Sequence, residues 1–84
     1  MEERVITVPL RDAKDAPSRE RADKAMRVIR QHLARHFTAD EDAVNLDSTI
    51  NESVWAGGRT KVPSKLRIRA AKFDDGVVEA EMAE

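Results

Sequence analysis

Three stretches of the chain alternate between hydrophobic and polar residues, and each of them predicts a β-strand. They are Arg4–Leu10, Lys65–Phe73 and Val77–Met82, and every second side chain of a strand points to the same face. Pro9 has no backbone N–H, so the first strand belongs at a sheet edge or ends there. The turn sequence Asp74-Asp75-Gly76 predicts that the last two strands form a hairpin. The inward-facing residues would be Ile6, Val8, Leu10, Leu66, Ile68, Ala70, Val78, Ala80 and Met82.

Between residues 18 and 37 the hydrophobic residues instead recur every three or four positions, which predicts an amphipathic helix. Its apolar stripe consists of Ala22, Met26, Ile29, Leu33 and Phe37. Ser18 is the candidate N-cap of this helix. The preceding residues 11–17 are polar and end at a proline, so we expect a loop there.

Three shorter elements complete the pattern. Asp40 is expected to cap a single helical turn, and Val44-Asn45-Leu46 predicts a short strand. A second helix would begin at Asp47 or Ser48, bury Ile50 and Val54, and end at Gly57-Gly58, because glycine accepts the left-handed conformation that closes a helix. The order strand, helix, strand, helix, hairpin predicts one α+β domain over residues 1–84, with the helices packed on one face of a sheet.

The charges are nearly balanced in number but unevenly distributed. Fifteen lysines and arginines against sixteen acids give a formal net charge of −1. Residues 57–72 nevertheless contain bases and no acid, whereas residues 40–52 and 74–84 contain acids and no base. Arginine outnumbers lysine ten to five in the whole chain, and an arginine-weighted basic surface on a protein otherwise rich in acid suggests a cytoplasm of high salt. At about 1 M salt the screening length is only about 3 Å, so close contacts would have to carry any binding.

The basic stretch has the properties that a polyphosphate partner requires, because its charges lie on one face of a strand and on the loop before it. We therefore expect contact with folded RNA through phosphate, sugar and shape. Arg30 is a borderline case, because it could instead pair with Asp23. Trp55 could stack on a base, although a place in the core is favoured. The predicted RNA-binding residues are Arg11, Arg21, Lys24, Arg27, Trp55, Gly57, Gly58, Arg59, Lys61, Lys65, Arg67 and Arg69.

Two alternatives to RNA binding remain open from the residues alone. The basic strand could be an ordinary solvated face, since blocks of like charge are common on surfaces. It could also dock an acidic protein partner, which would make the chain a small interaction adaptor. The exposed face of the long helix is likewise as compatible with simple solvation as with RNA contact.

Enzymatic and metal-binding functions are not supported by any motif. His32 and His36 have the i, i+4 spacing of two metal ligands, but no cysteine exists and Leu33 occupies the place of the glutamate that a zinc protease helix needs. We therefore expect no catalytic site, metal, cofactor or small-molecule substrate. No apolar run approaches the ~20 residues that span a bilayer, and we expect a cytoplasmic protein without a membrane partner.

A longer motif resembles a known protein family. The run Asn51-Glu52-Ser53-Val54-Trp55-Ala56-Gly57-Gly58, then Val62-Pro63 and Lys65-Leu66-Arg67-Ile68-Arg69, is similar to the signature of the large-subunit ribosomal protein family numbered thirty-one of archaea and eukaryotes. The likeness extends to the first strand and to the long helix. The acidic surface is closest to that of the halophilic archaeal members. Two residues depart from the pattern, since the family usually has a base at the position of Gly57 and often one at Glu52.

The resemblance implies a fold and a place in the cell. The fold would be a mixed four-stranded sheet with helices on one side. The function would be structural, as a constituent of the large ribosomal subunit that binds ribosomal RNA near the polypeptide exit of the tunnel. The expected partners are therefore the ribosomal RNA and the neighbouring ribosomal proteins at the exit side.

Overall fold

The computed structural model describes residues 1–56 and 62–83, apart from the side chain of Ser18. These described residues form four strands, three α-helices and two 3-10 turns, the turns at Ser18–Glu20 and Glu41–Ala43. The elements follow the predicted order, with one additional helix after the first strand. In chain order they are β1 (Glu2–Pro9), α1 (Arg11–Lys14), α2 (Arg21–Phe37), β2 (Val44–Leu46), α3 (Ser48–Trp55), β3 (Lys65–Lys72) and β4 (Val78–Met82).

The strands form one mixed sheet in the order β1-β3-β4-β2. β3 pairs antiparallel with both β1 and β4, whereas β2 runs parallel to β4. β1 is an edge strand that ends at Pro9, which confirms the prediction made from that proline. Gly76 has φ +92° and its N–H donates to the Phe73 carbonyl at 2.9 Å, as the predicted hairpin turn requires.

The core lies between one face of the sheet and the helices. On β1, β3 and β4 the inward residues predicted by alternation are buried, with Met82 partly so, and the residues between them are exposed. The apolar stripe of α2 packs on that inner face together with Ile50 and Val54 of α3. The two-layer α+β architecture predicted from the sequence is thus confirmed, and the outer face of the sheet carries no helix in the described ranges.

The expected loop over residues 11–17 is wrong, because α1 occupies Arg11–Lys14. Ala13 is fully buried and Ala16 nearly so, and these two small side chains let the segment pack against α2. The polar composition concealed this, since only two alanines face the core.

Two predicted helix caps also differ from the structure. Ser18 begins the 3-10 turn, so Glu20 occupies the N-cap position of α2. Asp40 precedes its turn as expected, but its side chain makes no capping hydrogen bond. Helix α3 begins at Ser48, one of the two predicted starts, and the Asp47 side chain caps it. The expected helix stop at Gly57-Gly58 lies outside the described residues.

Candidate nucleic-acid interface

The predicted cationic row on β3 exists. Lys65, Arg67 and Arg69 are exposed, and the residues between them, Leu66 and Ile68, are buried. The core therefore anchors the strand from one side, while its cations project from the outer face of the sheet. A row of charges on a rigid backbone is suited to a partner with phosphates at fixed positions.

Arg67 and Arg69 differ in their neighbours on the adjacent strands. Arg69 lies between Val5 and Glu81, and its Nη1 is 3.7 Å from Glu81 Oε1. Arg67 lies opposite Thr7, and the Ala83 N–H donates to its carbonyl at 3.0 Å, so Ala83 is its neighbour on the other side. Arg67 thus has uncharged neighbours on both strands, whereas the charge of Arg69 is partly compensated.

Helix α1 adds cations to the same end of the sheet. The Leu10 N–H donates to the Ser64 carbonyl at 2.8 Å, which places the start of α1 beside the turn that leads into β3. Lys14 then donates from Nζ to Ser64 Oγ at 3.0 Å, and Arg11 is exposed on the same short helix. We refer to the cations gathered here as the basic sheet end. It consists of Arg11, Lys14, Lys65 and Arg67.

Lys14 was not predicted from the sequence. It lies fifty residues from Ser64 along the chain, in a segment whose polar composition predicted a loop. The only signal of a helix there was the pair of small residues Ala13 and Ala16, which is weak. The contact could therefore be found only once the register of β1 against β3 was known.

The most basic part of the predicted loop is not described by the structure. Gly57, Gly58, Arg59 and Lys61 lie outside the described residues, and their predicted role in RNA binding stays a prediction. The chain before them ends α3 at Trp55, and the chain after them resumes at Val62, which is buried. The described end of this segment, Ser64, adjoins the basic sheet end.

The predicted cations of the long helix lie on a different surface. Lys24 is half-buried and Arg27 exposed on α2, and both face away from the core, on the side of the domain opposite the outer sheet face. Arg21 is half-buried and donates from Nε to the Ala16 carbonyl at 3.1 Å. The four predicted cations outside β3 and its loop, Arg11, Arg21, Lys24 and Arg27, therefore do not form one surface, because only Arg11 belongs to the basic sheet end.

Arg30 is exposed on α2. The alternative ion pair between Asp23 and Arg30 is not among those formed by the described residues. Asp23 is exposed at the first turn of α2, where a negative charge is favourable without a partner because of the helix dipole.

Two further residues, Trp55 from the predicted RNA-binding set and Lys72 from the basic stretch, contribute to the fold instead. Trp55 is half-buried and packs against the core, as the favoured interpretation had it. Lys72 donates from Nζ to the Phe37 carbonyl at 2.9 Å, where it satisfies a carbonyl at the end of α2. The last base of the basic stretch therefore stabilises the helix and does not extend the cationic row.

The opposite end of the outer sheet face is acidic. A shallow groove of about 420 Å³ crosses the strands there, and Arg69 is the one base among the residues that line it. We call its carboxylates the acidic sheet end. They belong to Glu3, Asp47, Glu79 and Glu81. One sheet face therefore has two ends of opposite charge.

The two histidines of α2 do not join a metal-binding cluster. No three histidine, cysteine, aspartate or glutamate side chains gather into such a group within residues 1–56 and 62–83. Burial, reinforced by His36 and Arg35, lowers the pKa of His32. His36 lies 3.3 Å from an Arg4 guanidinium nitrogen and edge-on to Phe37, with ring centroids 5.4 Å apart.

Within residues 1–56 and 62–83 no helix has the length and apolar character to cross a bilayer.

The outer sheet face thus combines a cationic end with an acidic one. Comparison with known proteins gives the family. Residues 3–75 match the family Ribosomal protein L31e. The chain is 64% identical to a large ribosomal subunit protein eL31 of Halorubrum lacusprofundi and 60% identical to that of Haloarcula marismortui. Each alignment covers 99% of this chain and 94% of the relative.

A more distant relative supports the same assignment. The large ribosomal subunit protein eL31 of Methanopyrus kandleri is 49% identical over 100% of this chain and 95% of its own length. The chain therefore belongs to the L31e family of ribosomal proteins. This confirms the resemblance noted from the sequence, including the similarity to halophilic archaeal members. The proteins of this family are structural rather than catalytic.

Proposed function

We propose that the chain is a structural protein of the large ribosomal subunit that binds ribosomal RNA through the basic sheet end. The observation that carries this proposal is Arg67, an exposed guanidinium on a core-anchored strand whose directly opposite residues, Thr7 and Ala83, carry no charge. Lys65 lies two residues before it on the same face of β3, and Arg11 lies just beyond the end of β1 that pairs with Lys65. Membership in a ribosomal protein family supplies the class of partner.

The binding mechanism follows from the geometry and from the salt of the habitat. Alternate residues of a strand are about 6.7 Å apart on the same face, so Lys65 and Arg67 can each contact a phosphate of one backbone. Arginine can donate two parallel hydrogen bonds to a phosphate. Because charges farther apart than about 3 Å are screened at about 1 M salt, such direct contacts carry the affinity. No base-reading element is needed for this mode of binding.

The remaining predicted RNA-binding residues belong to the proposal in two groups. Gly57, Gly58, Arg59 and Lys61 would extend the basic sheet end, since they precede Ser64 in the chain. Arg21, Lys24 and Arg27 would contact a second segment of RNA, because α2 lies on the other side of the domain. Arg69 and Trp55 are secondary, given the ion pair of the one and the core packing of the other.

The position near the polypeptide exit, beside other ribosomal proteins, rests on the family resemblance alone. It can be tested because the chain has no cysteine. A single cysteine placed at an exposed position such as Glu41 would carry a crosslinker, and ribosomes stalled with a nascent chain would show whether the emerging peptide is within reach. Crosslinks to subunit-interface components only would exclude the exit position.

The central experiment is sedimentation of the tagged protein from a halophilic host lysate at native salt. We expect the protein to migrate with the large subunit, and RNase treatment to release it. Migration at the top of the gradient with and without RNase would contradict the proposal and favour the adaptor function. Replacing Arg67 and Arg69 together with alanine should reduce the migrating fraction while the circular dichroism spectrum of the free protein stays unchanged.

A further inference from the structure

Strand β1 leaves one of its two hydrogen-bonding edges open. It is the outermost strand of the sheet and, within residues 1–56 and 62–83, pairs with β3 alone. The backbone hydrogen bonds on the two sides of β3 show which of its residues direct their N–H and C=O groups toward β1 and which toward β4. The Leu10 N–H donates to the Ser64 carbonyl, and the Ala83 N–H donates to the Arg67 carbonyl. Even-numbered residues of this part of the chain therefore bond toward β1 and odd-numbered residues toward β4.

The same alternation determines the open edge. Since Leu10 bonds to Ser64, the even-numbered residues of β1 use their N–H and C=O groups toward β3. The N–H and C=O groups of Glu3, Val5 and Thr7 then point away from the sheet. No other segment of the described chain bonds to these three residues. An open edge of this kind is a template for an additional strand.

The outward side chains of the edge have a distinct order of properties. Glu3 lines the acidic groove and has no ion pair among the described residues. Val5 is 48% exposed, one of two large hydrophobic residues so exposed in the described chain. Thr7 lies directly opposite Arg67. The edge thus runs from negative through apolar to a polar residue next to a cation.

We propose that this edge pairs with an extended segment of a neighbouring protein chain that has a lysine or arginine opposite Glu3 and an apolar residue opposite Val5. In strand addition the main-chain hydrogen bonds supply affinity and alternate side chains supply specificity. A cation opposite Glu3 forms a cross-strand pair of opposite charge. The identity of the neighbour as a ribosomal protein rests on the proposed function.

Charge argues against two other occupants. RNA is disfavoured at the Glu3 end because its phosphates would meet the four carboxylates of the acidic sheet end, and the one arginine that lines the groove is already paired. A second copy of this chain gives Glu3 no cationic partner, because its own edge offers Glu3, Val5 and Thr7. A foreign extended segment with basic residues is therefore the occupant that complements the edge.

The test measures binding of short fluorescent peptides to the full chain at host salt by anisotropy. The same-face residues of the peptide are lysine, valine and threonine in one order and in the reverse order, because the edge can pair in either direction. A matched peptide has glutamate in place of lysine. We expect the lysine peptide to bind about fivefold more tightly than the glutamate peptide, as a cross-strand charge pair allows.

Two variants of the protein separate charge from backbone recognition. Glu3→Lys should invert the preference between the two peptides, whereas Glu41→Lys, the same charge change at an exposed site outside the groove, should leave it intact. Val5→Pro removes an outward N–H without removing a bond to β3, so binding of both peptides should fall at least about tenfold. Val5→Thr keeps that N–H and serves as its control. Thermal unfolding followed by circular dichroism monitors the fold.

The proposal is wrong if no peptide binds, or if Glu3→Lys leaves the preference unchanged. Should Val5→Pro unfold, peptides N-methylated at alternate residues replace it, and one of the two methylation patterns must abolish binding. If the wild-type chain does not bind RNA, the proposed function is contradicted but this inference is not, because peptide binding is measured without RNA. An adventitious attraction to any cationic peptide would show itself as equal loss in Glu3→Lys and Glu41→Lys, and would also overturn the proposal.

Discussion

The two ends of the outer sheet face share strands, solvent exposure and anchoring, yet they differ in charge. At the basic sheet end Arg67 has Thr7 and Ala83 as neighbours on the adjacent strands. At the acidic sheet end Arg69, two residues along the same strand, has Glu81 at 3.7 Å. The difference arises because β4 places its acids opposite one half of β3 and ends before the other half.

The charges along one strand therefore do not by themselves determine the electrostatic surface that a partner meets, because neighbouring strands add charges of their own. Lys65, Arg67 and Arg69 form one uniform row in the sequence. In the sheet the row is divided by the register of β4. An exposed ion pair such as Arg69–Glu81 contributes little to stability, about 0–1 kcal/mol, so its main effect is on the potential that an approaching phosphate encounters.

Reversing the charge of the basic sheet end should give the largest effect. In Lys65→Glu/Arg67→Glu two phosphate contacts are lost and replaced by repulsion. We expect binding to a ribosomal RNA fragment to fall at least about a hundredfold, since each hydrogen bond to a charged group contributes about 1.5–3 kcal/mol and about 1.4 kcal/mol corresponds to tenfold. Filter binding at host salt measures this loss.

The matched control for this reversal lies at the other end of the same face. Glu79→Lys/Glu81→Lys changes the charge by the same amount in the opposite direction, and it should leave RNA affinity unchanged or increase it. If this variant binds RNA as weakly as the first, the two ends are not functionally distinct, and the assignment of RNA to one of them fails.

Single replacements of the two arginines should sharpen the comparison. Arg67→Ala should weaken RNA binding about tenfold, as expected for one lost charge-assisted contact. Arg69→Ala should weaken it by about threefold or less, because its charge is already shared with Glu81. Replacing Glu81 with glutamine should free Arg69, and in that background Arg69→Ala should cost more than in the wild type. Equal costs of Arg69→Ala in both backgrounds would show that the ion pair is irrelevant to binding.

A smaller effect is expected at Lys14, which joins α1 to the turn before β3. Lys14→Met keeps the aliphatic stem but removes both the charge and the hydrogen bond to Ser64. We expect RNA binding to weaken about threefold, with a decrease of about one in the slope of log K against log salt if Lys14 contacts a phosphate. Ser64→Ala removes the hydrogen bond alone. A loss equal to that of Lys14→Met would indicate a positioning role without RNA contact.

The sequence was sufficient wherever one residue property repeats with the period of a secondary structure. Alternation identified β1, β3 and β4, because their side chains have a buried and an exposed face. The stripe on α2 was equally clear, since Ile29, Leu33 and Phe37 all reach the core. These elements also gave the outer cationic row, which is the part of the candidate site that a single strand can encode.

Long-range pairing was not predictable in the same way. Helix α1 was missed because Ala13 and Ala16 bury little area and four residues do not show a period. The hydrogen bond from Lys14 to Ser64 depends on the register of β1 against β3, and the ion pair of Arg69 depends on the register of β3 against β4. Nothing in the local sequence determines either register until both strands are placed over one core.

The smallest predicted effect is on thermal stability, when Asp47 is replaced. The hydrogen bonds of Asp47 distinguish it from the other carboxylates of the acidic sheet end. Its Oδ2 accepts hydrogen bonds from the Thr49 N–H at 3.1 Å and from Thr49 Oγ1 at 2.8 Å. Thr49 Oγ1 in turn accepts from the Met82 N–H at 3.2 Å, which ties the start of α3 to the end of β4. The hydrogen bonds from Thr49, led by that of its backbone, lower the pKa of Asp47 below its usual 3.8.

The sign of the pH effect follows from this depressed pKa. The stabilisation by ionised Asp47 is complete above pH 3.8 and is lost as the pH falls through the lower pKa of the folded chain. The asparagine of an Asp47→Asn variant can still cap the helix but does not titrate. We therefore expect the variant to melt a few degrees below the wild type near neutral pH, with the gap closing as the pH falls below 3.8. A gap that stays the same at every pH would show that the charge of Asp47 does not stabilise the fold.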